Sequence, residues 1–497
     1  MLNRRQFIGS SLALMATAAW GKMADTVLAL DNQSVLAKQP WASAFAGVQQ
    51  DFAPLEMQVS GLWPKALQGS LYRNGPSMMR RGDVSYQHWF DGDGMVQQFS
   101  IGAEGISHKG KFVRTKKFQT EQQAGKFRYN TAGTVISDAL PIRNNDDMNV
   151  ANTSVIPWKG ELLALWEAGS PYRIDLNTLD TIGVKDFGEK FKQLPFSAHP
   201  LPDGNGGMWN FGSWYVDGSA SLLVYQVSGA DQLERIELIE LPQASYLHAF
   251  TQSQSKLIFY VSSCVYQRGQ SYIDSFRWQP ELGAKLLIID KADFTKRQWA
   301  DLPAGFAFHF GGATEVDNIL SVQICLYPDA GILLNGMSSL MTGEQKERSS
   351  DAELVTISLG LSASSQQGSP SNLAQIHRSG VNMEFPQFDA RVTQTLPSVY
   401  GIGASKQSES GLSDTLYQLQ SGVMTGSYYF GESKIIEEPL FIPKEEAGEG
   451  YLLMTWLDYQ CNQSGLSLFD CQHIAAGPIA EATMERALPL GFHGCFI

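Results

Sequence analysis

Eight histidines are spread along the chain: His88, His108, His199, His248, His309, His377, His473 and His493. Four of them sit beside small or aromatic residues in apolar, strand-like runs. These are Phe196-Ser-Ala-His199-Pro, Tyr246-Leu-His248-Ala-Phe, Phe306-Ala-Phe-His309-Phe and Gly491-Phe-His493-Gly. A buried imidazole needs a partner at each ring nitrogen, and a metal ion is one such partner. Taken one at a time, each of the four is better read as a hydrogen-bonded core histidine. Taken together, they form a candidate four-imidazole site, a donor set that suits zinc, copper, nickel or iron without choosing among them. No Ser-His-Asp arrangement and no glycosidase-like carboxylate pair can be identified. None of the five cysteines lies in a C-x-x-C pair, which argues against a thiolate zinc site.

The elements that must position these groups are mostly short β runs. Residues 161–167 (ELLALWE), 256–261 (KLIFYV), 285–289 (KLLII), 353–358 (ELVTIS) and 451–456 (YLLMTW) are rich in branched and aromatic residues. The 47 glycines and 21 prolines fit many turns, and long stretches of 3.6-residue period are hard to find. One pattern recurs: an apolar strand ending in Asp and a polar turn, at Tyr172-Arg-Ile-Asp175, Leu287-Ile-Ile-Asp290 and Leu466-Ser-Leu-Phe-Asp470. A repeated strand pair is what a propeller blade requires, and periodicity alone leaves an all-β propeller or a sandwich. The first two separations between the four histidines, 49 and 61 residues, are close to one blade, and the third, 184, is several. Residues 361–373 (LSASSQQGSPSNL) read as a surface loop, and 337–344 (MSSLMTGE) as a mobile, partly apolar one.

At 497 residues the chain is long for one core, although a ring can grow by adding blades. The balance of 37 Lys+Arg against 50 Asp+Glu, with no basic run, argues against nucleic-acid binding. Asn3-Arg4-Arg5-Gln6-Phe7-Ile8 places paired arginines before a short apolar stretch that ends near Ala16-Thr17-Ala18. That arrangement resembles a twin-arginine export signal over residues 1–30 and predicts a periplasmic protein. No other stretch has 18 consecutive apolar residues. Cys461 and Cys471 are candidates for a pair in an oxidising compartment, and the odd cysteine count leaves at least one thiol free or bonded between molecules.

Two further stretches carry a resemblance. Glu56-Met57-x-Val59-x-Gly61-Leu62-Trp63-Pro64 leads into Leu67-Gln68-Gly69-Ser70-Leu71-Tyr72-Arg73-Asn74-Gly75-Pro76, followed by His88-Trp89-Phe90-Asp91-Gly92-Asp93-Gly94-Met95. Ser197-Ala-His199-Pro200, Leu247-His248, Phe308-His309-x-x-x-Ala313-x-Glu315, Glu384-Phe385-Pro386, Glu438-Pro439-Leu440-Phe441 and Leu490-Gly491-Phe492-His493-Gly494 follow in order. Single pieces are weak, but the ordered set resembles the carotenoid cleavage oxygenase family from about residue 50 to the C-terminus.

The resemblance implies a single domain over 50–497, a seven-bladed β-propeller with a metal on the central axis and a loop and helix cap over one face. It implies one Fe(2+) per chain on His199, His248, His309 and His493. It further implies that Glu167, Glu384 and Glu438 orient those imidazoles, with Glu437 the rival of Glu438, and that Thr153 crowds one open side of the metal. The activity implied is cleavage of a conjugated double bond by O2, in a carotenoid or apocarotenoid or else in a lignostilbene-type phenolic. A non-catalytic binder of apolar ligands is the alternative of another class. Peripheral membrane contact fits a polyene, and no protein partner is implied. Phe196, Phe250, Phe308, Phe310 and Phe492 are candidates for the wall of an apolar tunnel and equally for plain core. His88 matches no ligand position, Asp91 and Asp93 are expected to fix a tight turn, and His108, His377 and His473 are expected to be surface or structural. Members of the family it resembles commonly carry Asn where this chain has Gly312, so a looser turn is expected there.

Overall fold

A strand buried on both faces cannot show the alternation of a half-exposed one; it reads as a continuous apolar run. In the computed structural model, which describes residues 37–188, 194–215, 219–343, 350–361, 374–408 and 411–497, the five runs above are middle strands of blades. Lys256–Val261 shows the principle. Leu257, Phe259 and Val261 pack against the preceding blade, while Ile258 and Tyr260 pack against the following one.

Seven antiparallel sheets follow one another around a ring. The first contains Gly69–Met78, Asp93–Gly102 and Gly105–Phe112, with Phe52–Glu56 outside. The next five are four-stranded and lie within 154–184, 201–240, 251–302, 306–382 and 384–429. The seventh lies within 434–484. The hydrophobic core is accordingly divided into clusters wedged between neighbouring blades. The chain closes its ring at two places. Gln58–Gly61 pairs with Ala480–Met484 at the outer edge of the seventh blade, and Gly494–Phe496 pairs with Gly69–Met78 at the inner edge of the first.

The recurrent aspartates are structural. Asp290 and Asp470 end the third strand of their blade and Asp175 directly follows its own, and their carboxylates accept backbone N–H groups of the following turn, from Ala292 and Asp293, Gln472, and Asn177 and Thr178.

Two expectations are corrected. Residues 337–342 are an α-helix, Met337–Thr342, continuous with a π-helical turn at Ile332–Gly336, and together they form part of the cap over one face. Gly343 stops the helix in the left-handed conformation, φ 69°. At Gly312 the chain is packed: an added Cβ would lie 2.4 Å from Cγ of Pro397, and the backbone N–H of Gly312 donates to Oε1 of Gln323 at 3.2 Å. Asn would not fit there without moving Pro397, and a side chain from the neighbouring strand supplies the hydrogen bond. All five cysteines are free thiols, Cys461 and Cys471 included. The 1–30 segment and nearly all of the 361–373 loop lie outside the described residues. No helix among the described residues is long and apolar enough to cross a membrane.

Candidate metal centre

Short inner strands run along the axis, and the groups just before or at their start all reach the same end of the ring. His199 precedes Leu201–Pro202, His248 precedes Thr251–Gln252, His309 lies within Phe306–Val316, and His493 precedes Gly494–Phe496. Four blades thus supply one imidazole each, and the ligand atoms of all four lie within 4.8 Å of one another. Nε2 of His199 is 2.9 Å from Nε2 of His248, and Nε2 of His309 is 3.1 Å from Nε2 of His493.

The three glutamates stand behind this cluster. Glu167 contacts Nδ1 of His248 through Oε1, Glu384 takes Nδ1 of His309 at 2.6 Å, and Glu438 takes Nδ1 of His493 at 2.9 Å. A carboxylate at Nδ1 holds the proton there, so the Nε2 lone pair points inward. His309 and His493 therefore present two lone pairs to each other, an arrangement that a cation between them relieves. Burial lowers the affinity of His199, His248 and His493 for protons, which keeps those imidazoles neutral, as metal ligands must be. The donor set fits a divalent metal ion. Among the described residues no carboxylate is bonded to His199; its loop is held by Ser197, whose hydroxyl accepts the His199 N–H at 3.2 Å, and by Asn210.

Glu438, and not its neighbour, is the partner of His493. Glu437 turns to Thr455 and to the backbone N–H of Gly491. Burial pushes both carboxyl groups up and the guanidinium of Arg73 opposes it. Thr153 joins the site by its backbone: its carbonyl accepts the N–H of His493 at 3.2 Å, its N–H donates to Leu165 and its hydroxyl to Asn152. It is almost fully buried and lines the cavity.

That cavity has a volume of about 580 Å³. His248, His309 and His493 form part of its wall, with Phe308 and Phe492 from the sequence-based candidates. Phe196, Phe250 and Phe310 are interblade core. Trp89, Phe90 and Trp166 continue the aromatic lining, and Leu340 of the cap helix faces it.

Two residues at the site had gone unassigned. Tyr246 donates its hydroxyl to Oε1 of Glu167 at 2.5 Å, the oxygen that also takes His248 Nδ1. Its signal was the i, i+2 spacing to His248, which puts both on one face of an extended segment. Phe385 sits with ring centroids 5.0 Å from His309 and 5.1 Å from His493, on a backbone with φ 51°. A bulky residue in that region is strained, and such strain collects at functional sites.

The remaining expectations divide. His88 is a fully buried N-cap, and Asp91 fixes its turn by accepting from His88 N, Gly133 N and Thr134. Asp93 does not: it pairs with buried Lys117 at 2.8 Å and with Arg81, because the helix Lys116–Ala124 brings a cation into the first blade. His108 is buried and structural; His377 and His473 are exposed.

Residues 45–497 match the family model described as retinal pigment epithelial membrane protein. The chain is 28% identical to the apocarotenoid-15,15'-oxygenase of Synechocystis, covering 93% of this chain and 97% of that one. It is 27% identical to resveratrol cleavage oxygenase 1 of Aspergillus fumigatus, over 90% and 93%, and 25% identical to the isoeugenol monooxygenase of Pseudomonas nitroreducens, over 89% and 94%. In three dimensions it is similar to cobalt-substituted Synechocystis apocarotenoid oxygenase, with a TM-score of 0.79 at 24% identity over 92% and 98% of the chains. The lignostilbene dioxygenase of Pseudomonas brassicacearum gives 0.77 at 22% over 93% and 98%. With the propeller and the ordered motifs already in place, the family match settles the assignment: the chain belongs to the carotenoid cleavage oxygenase family and is one of its dioxygenases.

Proposed function

We propose that the protein cleaves a conjugated double bond of a carotenoid or apocarotenoid with O2, giving two carbonyl products, and that it works with one Fe(2+) per chain on His199, His248, His309 and His493. The observation that carries this reading is the convergence of four imidazoles, three of which (His248, His309 and His493) form part of the wall of a cavity of about 580 Å³ with aromatic lining. Held by His199, His248, His309 and His493, a neutral ligand set, iron(II) would keep its full positive charge and would supply electron density for O2. The protein does the rest by position. Glu167, Glu384 and Glu438 hold the imidazole tautomers. Phe308, Phe492 and Trp166 hold a flat apolar substrate beside the metal and keep water away. Thr153, tied to the backbone of His493, narrows one approach to the centre. Both oxygen atoms end in the two carbonyls, so no acid or base is called for.

A second reading, a hydroxylated stilbene, draws on Tyr272 and Tyr327, whose side chains also line the cavity, and on the names of the resveratrol and isoeugenol relatives. Incubation with an apocarotenal and with a hydroxystilbene under O2, followed by mass analysis of the aldehydes, separates the two. Cleavage of neither, by protein loaded with one equivalent of iron, overturns both and leaves an apolar-ligand binder.

From Arg4-Arg5 we further propose twin-arginine export to the periplasm, with peripheral membrane contact for an apolar substrate. Replacing both arginines by lysine is expected to leave the protein in the cytoplasm on fractionation.

A further inference from the structure

Arg73 is among the largest fully buried side chains, with 1% of its surface exposed. It lies on Gly69–Met78 opposite Gly494, at the joint where the C-terminal strand enters the first blade. Nη1 donates to Oε2 of Glu438 at 3.0 Å and to the carbonyl of Phe492 at 3.3 Å; Nη2 donates to the carbonyl of Glu438 at 2.8 Å; Nε is 3.7 Å from Oε2 of Glu437. One guanidinium thus grips the side chain and the backbone of Glu438 and the residue just before His493. Gly491 makes room for it, since a Cβ there would lie 2.4 Å from Cγ of Arg73.

Glu438 needs that grip. It is 4% exposed and follows another buried carboxylate, so unpaired it would be a buried charge beside a like charge. Its donors are His493 Nδ1 and Gln387 Nε2 on Oε1, at 2.9 and 3.0 Å, and Gly494 N and Arg73 Nη1 on Oε2, both at 3.0 Å. Arg73 alone among them is a fixed cation, and its planar fork sets direction as well as charge. Glu167, for comparison, shares its oxygen with Tyr246 and has no cation bonded to it among the described residues.

We propose that Arg73, seconded by Gln387, is the positioning residue for His493: it fixes Glu438, and Glu438 aims the imidazole at the metal. This rests on the metal reading above. The test is Co2+ titration of metal-free protein, read as a dissociation constant by chelator competition and as a visible absorption spectrum, with the apo-protein melting temperature measured alongside. Variants are Arg73→Met, Arg73→Lys and Gln387→Leu, with Arg81→Met as a buried arginine that pairs with Asp93 of the same blade and does not touch the site. Positioning predicts affinity about 10–100-fold weaker and a changed spectrum for Arg73→Met, partial recovery with Lys, and a smaller loss in the same direction for Gln387→Leu. Arg81→Met should lower the melting temperature and leave both Co2+ readings unchanged. Folded Arg73→Met and Gln387→Leu with the parent's affinity and spectrum overturn the proposal. If the Arg73 variants do not fold, Gln387→Leu decides it on the same two readings. A parent protein that takes up no Co2+ overturns the metal reading itself, and with it this one.

Discussion

The Nε2 atoms of His309 and His493 stand 3.1 Å apart although 184 residues separate them in the chain. Each has its proton drawn to the far side by a glutamate, so each offers a lone pair to the other. Binding of a divalent ion only to the folded state adds stability as RT ln(1 + [L]/Kd), about 2.7 kcal/mol at a hundredfold excess over Kd. Co2+ or Fe2+ is expected to raise the melting temperature by several degrees and a chelator to reverse it. His309→Ala and His493→Ala should each abolish the shift, as should His199→Ala and His248→Ala. A shift that survives in all four variants contradicts the site.

Tyr246 and His248 meet on one oxygen of Glu167, and they do not contribute equally. Glu167→Gln replaces the acceptor of the imidazole N–H by a neutral amide and is expected to weaken metal binding about 10–100-fold. Tyr246→Phe leaves the carboxylate and removes one donor, a loss of about 1 kcal/mol. Chelator competition reads both. If Tyr246→Phe costs as much affinity as Glu167→Gln, the phenol and not the carboxylate sets the tautomer.

How much of this was legible follows from burial. Middle strands such as Lys256–Val261 announce themselves because both faces are apolar. The inner strands that follow His199 and His248 are only two residues long, Leu201–Pro202 and Thr251–Gln252, and give no periodic signal at all. The four histidines could be found one by one, but only the ordered motifs joined them. The ring closure pairs Gly61 with Ala480, a contact with no local trace. Ser338, Ser339 and Gly343 give the cap helix Met337–Thr342 the local look of a loop; its apolar side is held by Trp41, Met79 and other residues remote in sequence. The choice between Glu437 and Glu438 is made by Gly491 and Gly494, whose N–H groups take one carboxylate each.

His108 gives the fold an acid-sensitive point away from the metal. It lies between Phe52 and Phe99, with Nε2 2.9 Å from Oε1 of Gln97 and Nδ1 3.4 Å from Arg486. Burial, reinforced by Arg486, lowers its pKa to about 3. An unfolded chain protonates this histidine near its ordinary value of about 6.5, so it binds more protons than the folded one in the window between. Its contribution to stability is therefore complete above about pH 6.5 and is lost as the pH falls towards 3, with about 2 kcal/mol gone by pH 5. His108→Gln should be less stable than the parent at pH 8, and the gap should narrow by about that amount at pH 5. A gap independent of pH in denaturant titrations would show that His108 does not titrate in this window.

The packing at Gly312 yields the opposite of the looser turn that a missing side chain suggested. Pro397 stands where a Cβ would go, with Cγ at 2.4 Å and Cδ at 2.6 Å from it, and Gln323 already satisfies the Gly312 N–H. Neither neighbour can yield easily: Pro397 is a rigid ring, and Gln323 is fully buried with its amide also 3.5 Å from the Pro397 carbonyl. Overpacking of this kind costs about 1–3 kcal/mol. Gly312→Ala is therefore expected to lower the denaturant midpoint, and Gly312→Asn to lower it further. Pairing Gly312→Asn with Pro397→Ala opens the space and should recover part of the loss, a coupling that a double-mutant cycle measures directly. Additive effects of the two substitutions, with no recovery, would mean that the proline is not what excludes the side chain.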